Sequence, residues 1–240
     1  MTTQRTLGRR LALAAVYGER YGVSLVFLVL AGRGLRQLLA PSGPLRTAIA
    51  AAPLTTIVQL VVWVQLYVCM GLLLLLGRRV VSPPQKIADV LLPLISTFFY
   101  LAYYTVQWFP PWLSQNLCPA GWQPACLTAG MGLSVIGLWI AIWAAVHLGR
   151  SFGVLIEVRQ VVLGGAYRRM RHPMYLGYVC LLAGYAIINC SLACFLLVPL
   201  HIGLLLWRAR LEEARLAAAS PAYQEYRRRT GFLLPKFHSH

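Results

Sequence analysis

The sequence predicts an all-α protein: a polytopic transmembrane bundle of about six spans. The last two spans form a helical hairpin, and a loop and a C-terminal helix lie at one membrane surface. Three observations predict it. The 240 residues are 59% hydrophobic and 12% charged, whereas soluble domains are about 45–50% apolar and about 25% charged. Apolar runs near the roughly 20 residues that span a bilayer recur along the chain. The Lys and Arg residues collect on one side of the layout these runs imply, as the positive-inside rule expects of the cytoplasmic face. The net charge of +16 then reads as attraction to anionic lipid. The apolar runs exclude a soluble basic module, and with it nucleic-acid binding.

The elements follow in order. Residues 1–20 carry Arg5, Arg9, Arg10, Glu19 and Arg20 around a short apolar run. No small-residue cleavage site follows a clean apolar core, so this is a cytoplasmic basic start with an amphipathic surface helix, not a signal peptide. The first span, Tyr21 to Leu39, carries Arg33 and Arg36, which can snorkel to the far interface. The second span is Leu54 to Leu76. The third, Ala88 to Phe109, ends in Tyr100, Tyr103, Tyr104, Trp108 and Phe109, which resembles an interfacial aromatic belt. The fourth, Cys126 to Leu148, is rich in Gly and Ala, as packed membrane helices often are.

The apolar run from Met174 to Arg208 is too long for one helix. Asn189 and Ser191 near its middle predict a tight hairpin of two spans, about 174–188 and 192–208. With six spans, both termini are cytoplasmic and only Arg33, Arg36 and Arg46 fall outside the basic side. The loop from Pro110 to Ala125 has no charge, as suits the outer face. A five-span layout would put the basic C-terminus outside, against the charge pattern. Between spans four and five, residues 149–171 form a loop whose β-branched alternation around Val154 to Val162 suggests a short hairpin. Ser220-Pro221 starts a further short helix.

Cysteine and histidine spacing matches no zinc or haem site, so no metal is expected. Cys118 and Cys126 flank an outer-loop segment and would pair if that side is oxidising. His147 sits at the end of span four. His201 lies inside span six, where a hydrogen-bonded neutral histidine is the simplest reading.

The chain is organised around residues 164–177, GGAYRRMRHPMYLG. Pro173 suits the first position of a helix, and His172 before it is pushed towards extended geometry. A cationic, His-bearing loop therefore meets a helix N-terminus, where backbone N–H groups and the dipole favour an anion. Only six acidic residues occur in the chain. Two of them, Glu212 and Glu213, stand together where the last span leaves the membrane, on the same side as that loop. The hairpin would bring the two elements face to face.

Gly165-Ala166-Tyr167, Arg171 to Gly177, Glu212-Glu213, Tyr223, Tyr226 and Pro235 occur in the order seen in the isoprenylcysteine carboxyl methyltransferase family and the related phospholipid methyltransferases. The chain resembles the bacterial branch over about residues 147–236. It departs at Ala166, where many members have Pro, and at Ala219 to Ala222, where Phe-Gly is common. The resemblance implies one membrane domain, with a methyltransferase core at 147–236 and acceptor-side spans at 1–146. It implies S-adenosylmethionine as methyl donor, held without a Rossmann fold by Tyr167, Arg171, His172, Tyr175, Leu176, Gly177, Glu212 and Glu213. Arg171, Arg210 and Glu213 would act in catalysis, Arg210 by steering an anionic acceptor. The donor's carboxylate would suit Arg171 or the helix N-terminus, its ammonium and ribose the two glutamates, and its adenine a tyrosine ring.

The acceptor is lipophilic or small, with a prenyl-cysteine-like carboxylate favoured over an amine or a thiol. The chain fits a bacterial inner membrane, surrounded by lipid. Two other readings stand beside this one. Sterol-type reductases share an Arg-His-Pro-x-Tyr-x-Gly hairpin but bind a nicotinamide cofactor, and carry Arg-Asp-Glu where this chain has Leu211-Glu212-Glu213. A non-catalytic membrane scaffold is the third.

Overall fold

The structure is a computed structural model that describes residues 8–39, 54–77, 80–159 and 161–236. Arg5 and Arg46, discussed above, lie outside the described residues. Helices dominate, and no strand occurs among the described residues. The first helix is widened, not ended, at Glu19. Helix α1 (Arg9–Tyr17) runs through a π-turn (Gly18–Val23) into α2 (Ser24–Leu39). Sequence reasoning separated a surface helix from a span starting at Tyr21; the structure joins them. The π-turn accommodates Glu19 by turning its side chain inwards, where it is buried. Single π-turns of this kind gather at functional sites.

Helix α3 (Leu54–Leu75) follows, then α4 (Ala88–Phe98), α5 (Leu101–Tyr104) and α6 (Pro111–Ser114). Helix α7 (Gln123–Leu148) is the long fourth span. Helices α8 (Pro173–Asn189) and α9 (Leu192–Ala219) form the expected hairpin, and α10 (Pro221–Arg229) closes the described fold. Pro173 opens α8, and Ser191 caps α9 by accepting from the Cys194 N–H at 3.3 Å. Three stretches, Arg9–Arg36, Ala120–Ser151 and Leu192–Ala219, are long and apolar enough to cross a membrane; Trp63–Leu75, Ala88–Tyr103 and Pro173–Asn189 are shorter apolar helices. The protein is a helical membrane bundle. Its outward-facing Trp139, Trp143, Trp207, Leu196 and Leu200 are exposed, as lipid contact requires.

Helix α8 packs along α7 through glycines. A Cβ on Gly177 would lie 2.6 Å from the Gly137 carbonyl oxygen, and one on Gly137 would lie 2.6 Å from that of Gly177. Gly130 meets Gly184 one register further along, with a Cβ on Gly130 2.7 Å from the Gly184 oxygen. Small residues let the two backbones touch, which is how helices associate where lipid supplies no hydrophobic drive.

Residues 149–171 correct one expectation. Among the described residues, Val154 to Val162 form no hairpin. Val158 instead makes an isolated antiparallel bridge with Ser82, with Val158 N–H donating to the Ser82 carbonyl at 2.9 Å. Val154, Leu155, Ile156 and Val158 are all buried, so the apolar residues plug the end of the bundle instead of lining one face of a ribbon. The aromatic belt is also partly redrawn. Trp108 is exposed, but Tyr100 is buried beside Trp63, Tyr67 and Phe98. Tyr103 bonds His201 at 3.2 Å.

At the other end of the bundle, Leu117 N–H donates to the Cys190 carbonyl at 2.7 Å, pinning the uncharged loop to the α8–α9 turn. Cys118 and Cys126 are thiols there, with their sulfurs 3.2 Å apart.

Candidate active site

The basic loop is stitched to the C-terminal tail before any side chain is considered. Arg171 N–H donates to the Gly231 carbonyl at 2.9 Å and His172 N–H to that of Phe232 at 3.1 Å. Gly231 N–H donates back to the Arg169 carbonyl at 3.1 Å. The Tyr226 hydroxyl donates to the carbonyls of Tyr167, at 2.5 Å, and Met170, at 3.2 Å. Gly165 has φ +59°, in the left-handed region where glycine carries no penalty. That turn lets the Gly-Ala-Tyr step fold back over His147, whose Nδ1 bonds the Trp143 carbonyl at 2.8 Å.

On this frame the predicted residues converge. Arg171 Nε pairs with Glu213 Oε1, while its Nη1 donates to the carbonyls of Arg227, at 2.9 Å, and Thr230. His172 Nε2 lies 3.1 Å from the same Glu213 oxygen. The imidazole is sandwiched edge-on by Tyr175 and Phe232, with ring centroids 5.3 Å and 4.8 Å away. Glu213 thus receives both side chains, from a loop 42 and 41 residues earlier. Charge-assisted bonds of this type are about twice as strong as neutral ones.

One residue back on α9, Glu212 Oε1 accepts from the Tyr175 hydroxyl at 2.7 Å and from Arg208 Nε at 2.9 Å. Arg208 also donates to Thr97 Oγ1 at 3.0 Å, and its guanidinium lies 5.7 Å from the Tyr175 ring centre. The two carboxylates therefore divide the work: Glu213 clasps the loop and Glu212 holds a tyrosine and a buried arginine.

A cavity of about 230 Å³ opens beside these groups. Tyr167, Arg171, His172, Tyr175, Arg208 and Glu212 line its polar part. Phe27, Trp63, Leu66, Tyr67, Met70 and Tyr100 line an apolar part built by α2, α3 and the segment after α4. Burial, reinforced by Glu212, pushes the Tyr167 phenol well above its ordinary value, so the ring presents a neutral hydroxyl. His201 also reaches the cavity, satisfied by the Ser96 carbonyl at 2.9 Å and the Tyr103 hydroxyl at 3.2 Å. This is the hydrogen-bonded histidine that its place inside a span predicted.

Four predicted residues stand apart from the cavity lining, among them Glu213, which instead holds the Arg171 and His172 side chains that do line it. Gly177 faces α7 and serves helix packing. Leu176 is half-buried and does not line the cavity. Arg210 is exposed, whereas Arg208, two residues earlier, is buried and lines it. Sequence reasoning missed Arg208, Glu157 and Arg159 as cavity residues. The last two were visible only as charges in a loop, and their burial depends on Glu19 from the first helix.

Residues 125–219 match the phospholipid methyltransferase family, and this bears out the resemblance read from the motif. The match covers α7, the plug loop, the Arg-His-Pro loop, the hairpin and both glutamates. No curated protein matches the chain.

Proposed function

We propose that this chain, with its phospholipid methyltransferase segment at residues 125–219, is a membrane-embedded methyltransferase that uses S-adenosylmethionine. One observation carries the reading. Arg171 and His172, both held by Glu213, and the cluster of Tyr175, Glu212 and Arg208 border a single cavity that continues into an apolar, aromatic chamber. A polar cofactor end and a lipophilic acceptor end are thereby joined inside the bilayer boundary.

The residues fit the methyl donor in chemistry. The guanidinium of Arg171 and the N-terminus of α8 suit its carboxylate. The carboxylates suit its ammonium and ribose hydroxyls, and the rings of Tyr167 and Tyr175 suit adenine and sulfonium. When bound, that donor supplies an electrophilic methyl carbon with a neutral thioether as leaving group. The residues of this chain supply position: the tail-locked loop and the hairpin hold both ends of the cavity, and alignment provides most of the rate enhancement in a displacement. A carboxylate or thiolate acceptor needs no proton removed. An amine must first lose one, and Glu212, within the cavity, is placed to take it.

The acceptor we favour has an apolar chain and a carboxylate head of the prenyl-cysteine kind, with Arg208 supplying the counter-charge. The end of the bundle bearing the site is the cytoplasmic one, on the evidence of its charge, and the arginine-rich composition suits a bacterial inner membrane.

Titration of detergent-purified protein with S-adenosylmethionine and, separately, NADPH tests the reading, with His172→Ala and Glu213→Ala alongside. Binding of the methyl donor alone, lost in both variants, is expected. Binding of NADPH alone moves the protein to the membrane reductases, and binding of neither by well-folded protein leaves a scaffold.

A further inference from the structure

The same cavity has a second polar wall that the reading above does not use, made by Glu157 and Arg159. Arg159 is buried and fully engaged. Its Nε donates to Glu157 Oε1 at 2.5 Å, its Nη1 to the Phe152 carbonyl at 2.6 Å, and its Nη2 lies 3.4 Å from Glu19 Oε2. Glu19 reaches in from the π-turn of the first helix. Its Oε1 accepts from the backbone N–H groups of Val154 and Leu155. Glu157 differs from both. Its side chain is 1% exposed, yet Oε2 has no hydrogen-bond partner among the described residues. Arg20 Nε and Arg215 Nη1 are also unpartnered, but of the three residues Glu157 alone lines the cavity.

An orphaned carboxylate oxygen is costly in a buried site and calls for a donor. Charge narrows the donor's chemistry. With Glu157 ionised, two carboxylates face one guanidinium, so the group then lacks a positive charge as well as a hydrogen bond. We propose that Glu157 is an ammonium-binding group, whose Oε2 receives an N–H donor of a positively charged amine bound in the cavity while Arg159 and Glu19 hold the carboxylate in place.

Burial and the neighbouring Glu19 push the Glu157 carboxyl up to about 8, against the pull of Arg159. A bound ammonium then takes the place of a proton, and its affinity rises as pH approaches 8. Glu19 from the first helix and Arg159 from the same loop are the charged groups packed on Glu157. Arg171, His172, Arg208 and Glu212 line other parts of the cavity.

The ammonium has two possible sources: the amino-acid end of the methyl donor, which rests on the function proposed above, or an amine-bearing acceptor, which does not. Binding to full-length protein in phosphatidylcholine nanodiscs separates them. The probes are S-adenosylhomocysteine, its amine-free relative methylthioadenosine, dodecylamine and dodecanol, each with wild type and Glu157→Gln. If the cofactor supplies the ammonium, Glu157→Gln weakens S-adenosylhomocysteine about tenfold or more and leaves methylthioadenosine unchanged. If the acceptor supplies it, the loss falls on dodecylamine and spares dodecanol. Failure of wild type to bind either nucleoside while it still prefers the amine to the alcohol would sink the methyltransferase reading and leave the ammonium site standing. Wild type that shows no preference for amine-bearing ligands overturns the proposal even if Glu157→Gln does not fold, as does a folded Glu157→Gln that binds all four as wild type does.

Discussion

Arg171 and Glu213 form an ion pair between the loop before α8 and the far part of α9, and His172 shares the same carboxylate oxygen. Both side chains of the pair are about nine-tenths buried, at 10% and 11% exposed. Removing one partner of such a pair strands the other and costs about 3–5 kcal/mol. Glu213→Gln is therefore expected to lower thermal stability markedly and to abolish binding of the methyl donor. Arg171→Lys keeps the charge but loses the fork that reaches Glu213, Arg227 and Thr230 together. It should lose most of the same function. Wild-type-like melting and ligand binding in either variant would remove the clasp from the site.

The close approach of α7 and α8 gives a cleaner packing test. Gly177→Val places atoms where the Gly137 oxygen stands 2.6 Å from a Cβ, in contact with backbone that has nowhere to move. Overpacking of this kind costs about 1–3 kcal/mol or more. Gly132 lies on the same helix as Gly137 with nothing within 4 Å of an added Cβ, so Gly132→Ala should be close to neutral. Detergent thermal melts of the two variants, with size exclusion to check the fold, distinguish a specific helix contact from general intolerance of glycine substitution.

These two cases also show what was legible in the sequence. The motif from Arg171 to Gly177 announced a helix start through Pro173, and Asn189 and Ser191 announced the hairpin turn, because these residues act on the backbone locally. The glutamate pair announced itself by the rarity of acidic residues. Glu19 did not. It read as an interruption of an apolar run, and its role needs the loop carrying Val154, Leu155 and Arg159 to fold back onto the first helix. No local pattern carries that. The plug loop failed for the same reason: β-branched residues buried on every side look, in one dimension, like an alternating strand.

Glu157 gives a pH prediction with a definite sign. Its folded carboxyl lies near 8, pushed up by burial and by Glu19, above the ordinary 4.5. Between those values the native state holds more protons than the unfolded state, so this group's contribution to stability falls as pH rises from about 4.5 to about 8. It is fully present below that window and gone above it. Glu157→Gln should flatten this part of the stability profile in chemical or thermal melts. A slope unchanged in the variant would assign the titration to another group.

Tyr226 tests whether the tail merely covers the loop or sets its shape. Its hydroxyl bridges the carbonyls of Tyr167 and Met170, either side of the basic run. Tyr226→Phe keeps the buried ring and removes only that bridge, leaving two acceptors short of a donor. The expected cost is about 1–3 kcal/mol, with the methyl donor bound more weakly because Arg171 and His172 hang on the same loop. Lower stability with unchanged affinity would confine Tyr226 to structure.

Arg208 and Arg210 settle which arginine of α9 serves the cavity. On a helix, two residues apart is about 200° around the axis, so only one of them can face inwards. The sequence between them offers no strong amphipathic stripe, and the motif order alone made Arg210 the natural choice. The structure turns Arg208 in, against Thr97, Glu212 and the Tyr175 ring, and leaves Arg210 exposed. Arg208→Ala should strand Glu212 and the Tyr175 hydroxyl, reduce turnover of an anionic lipophilic acceptor by about tenfold or more and destabilise the bundle. Arg210→Ala should stay within about 0.5 kcal/mol of wild type in stability, as surface changes do. Turnover measured with both variants decides the matter: a larger loss for Arg210→Ala would mean that the acceptor meets this helix on its exposed face, outside the cavity.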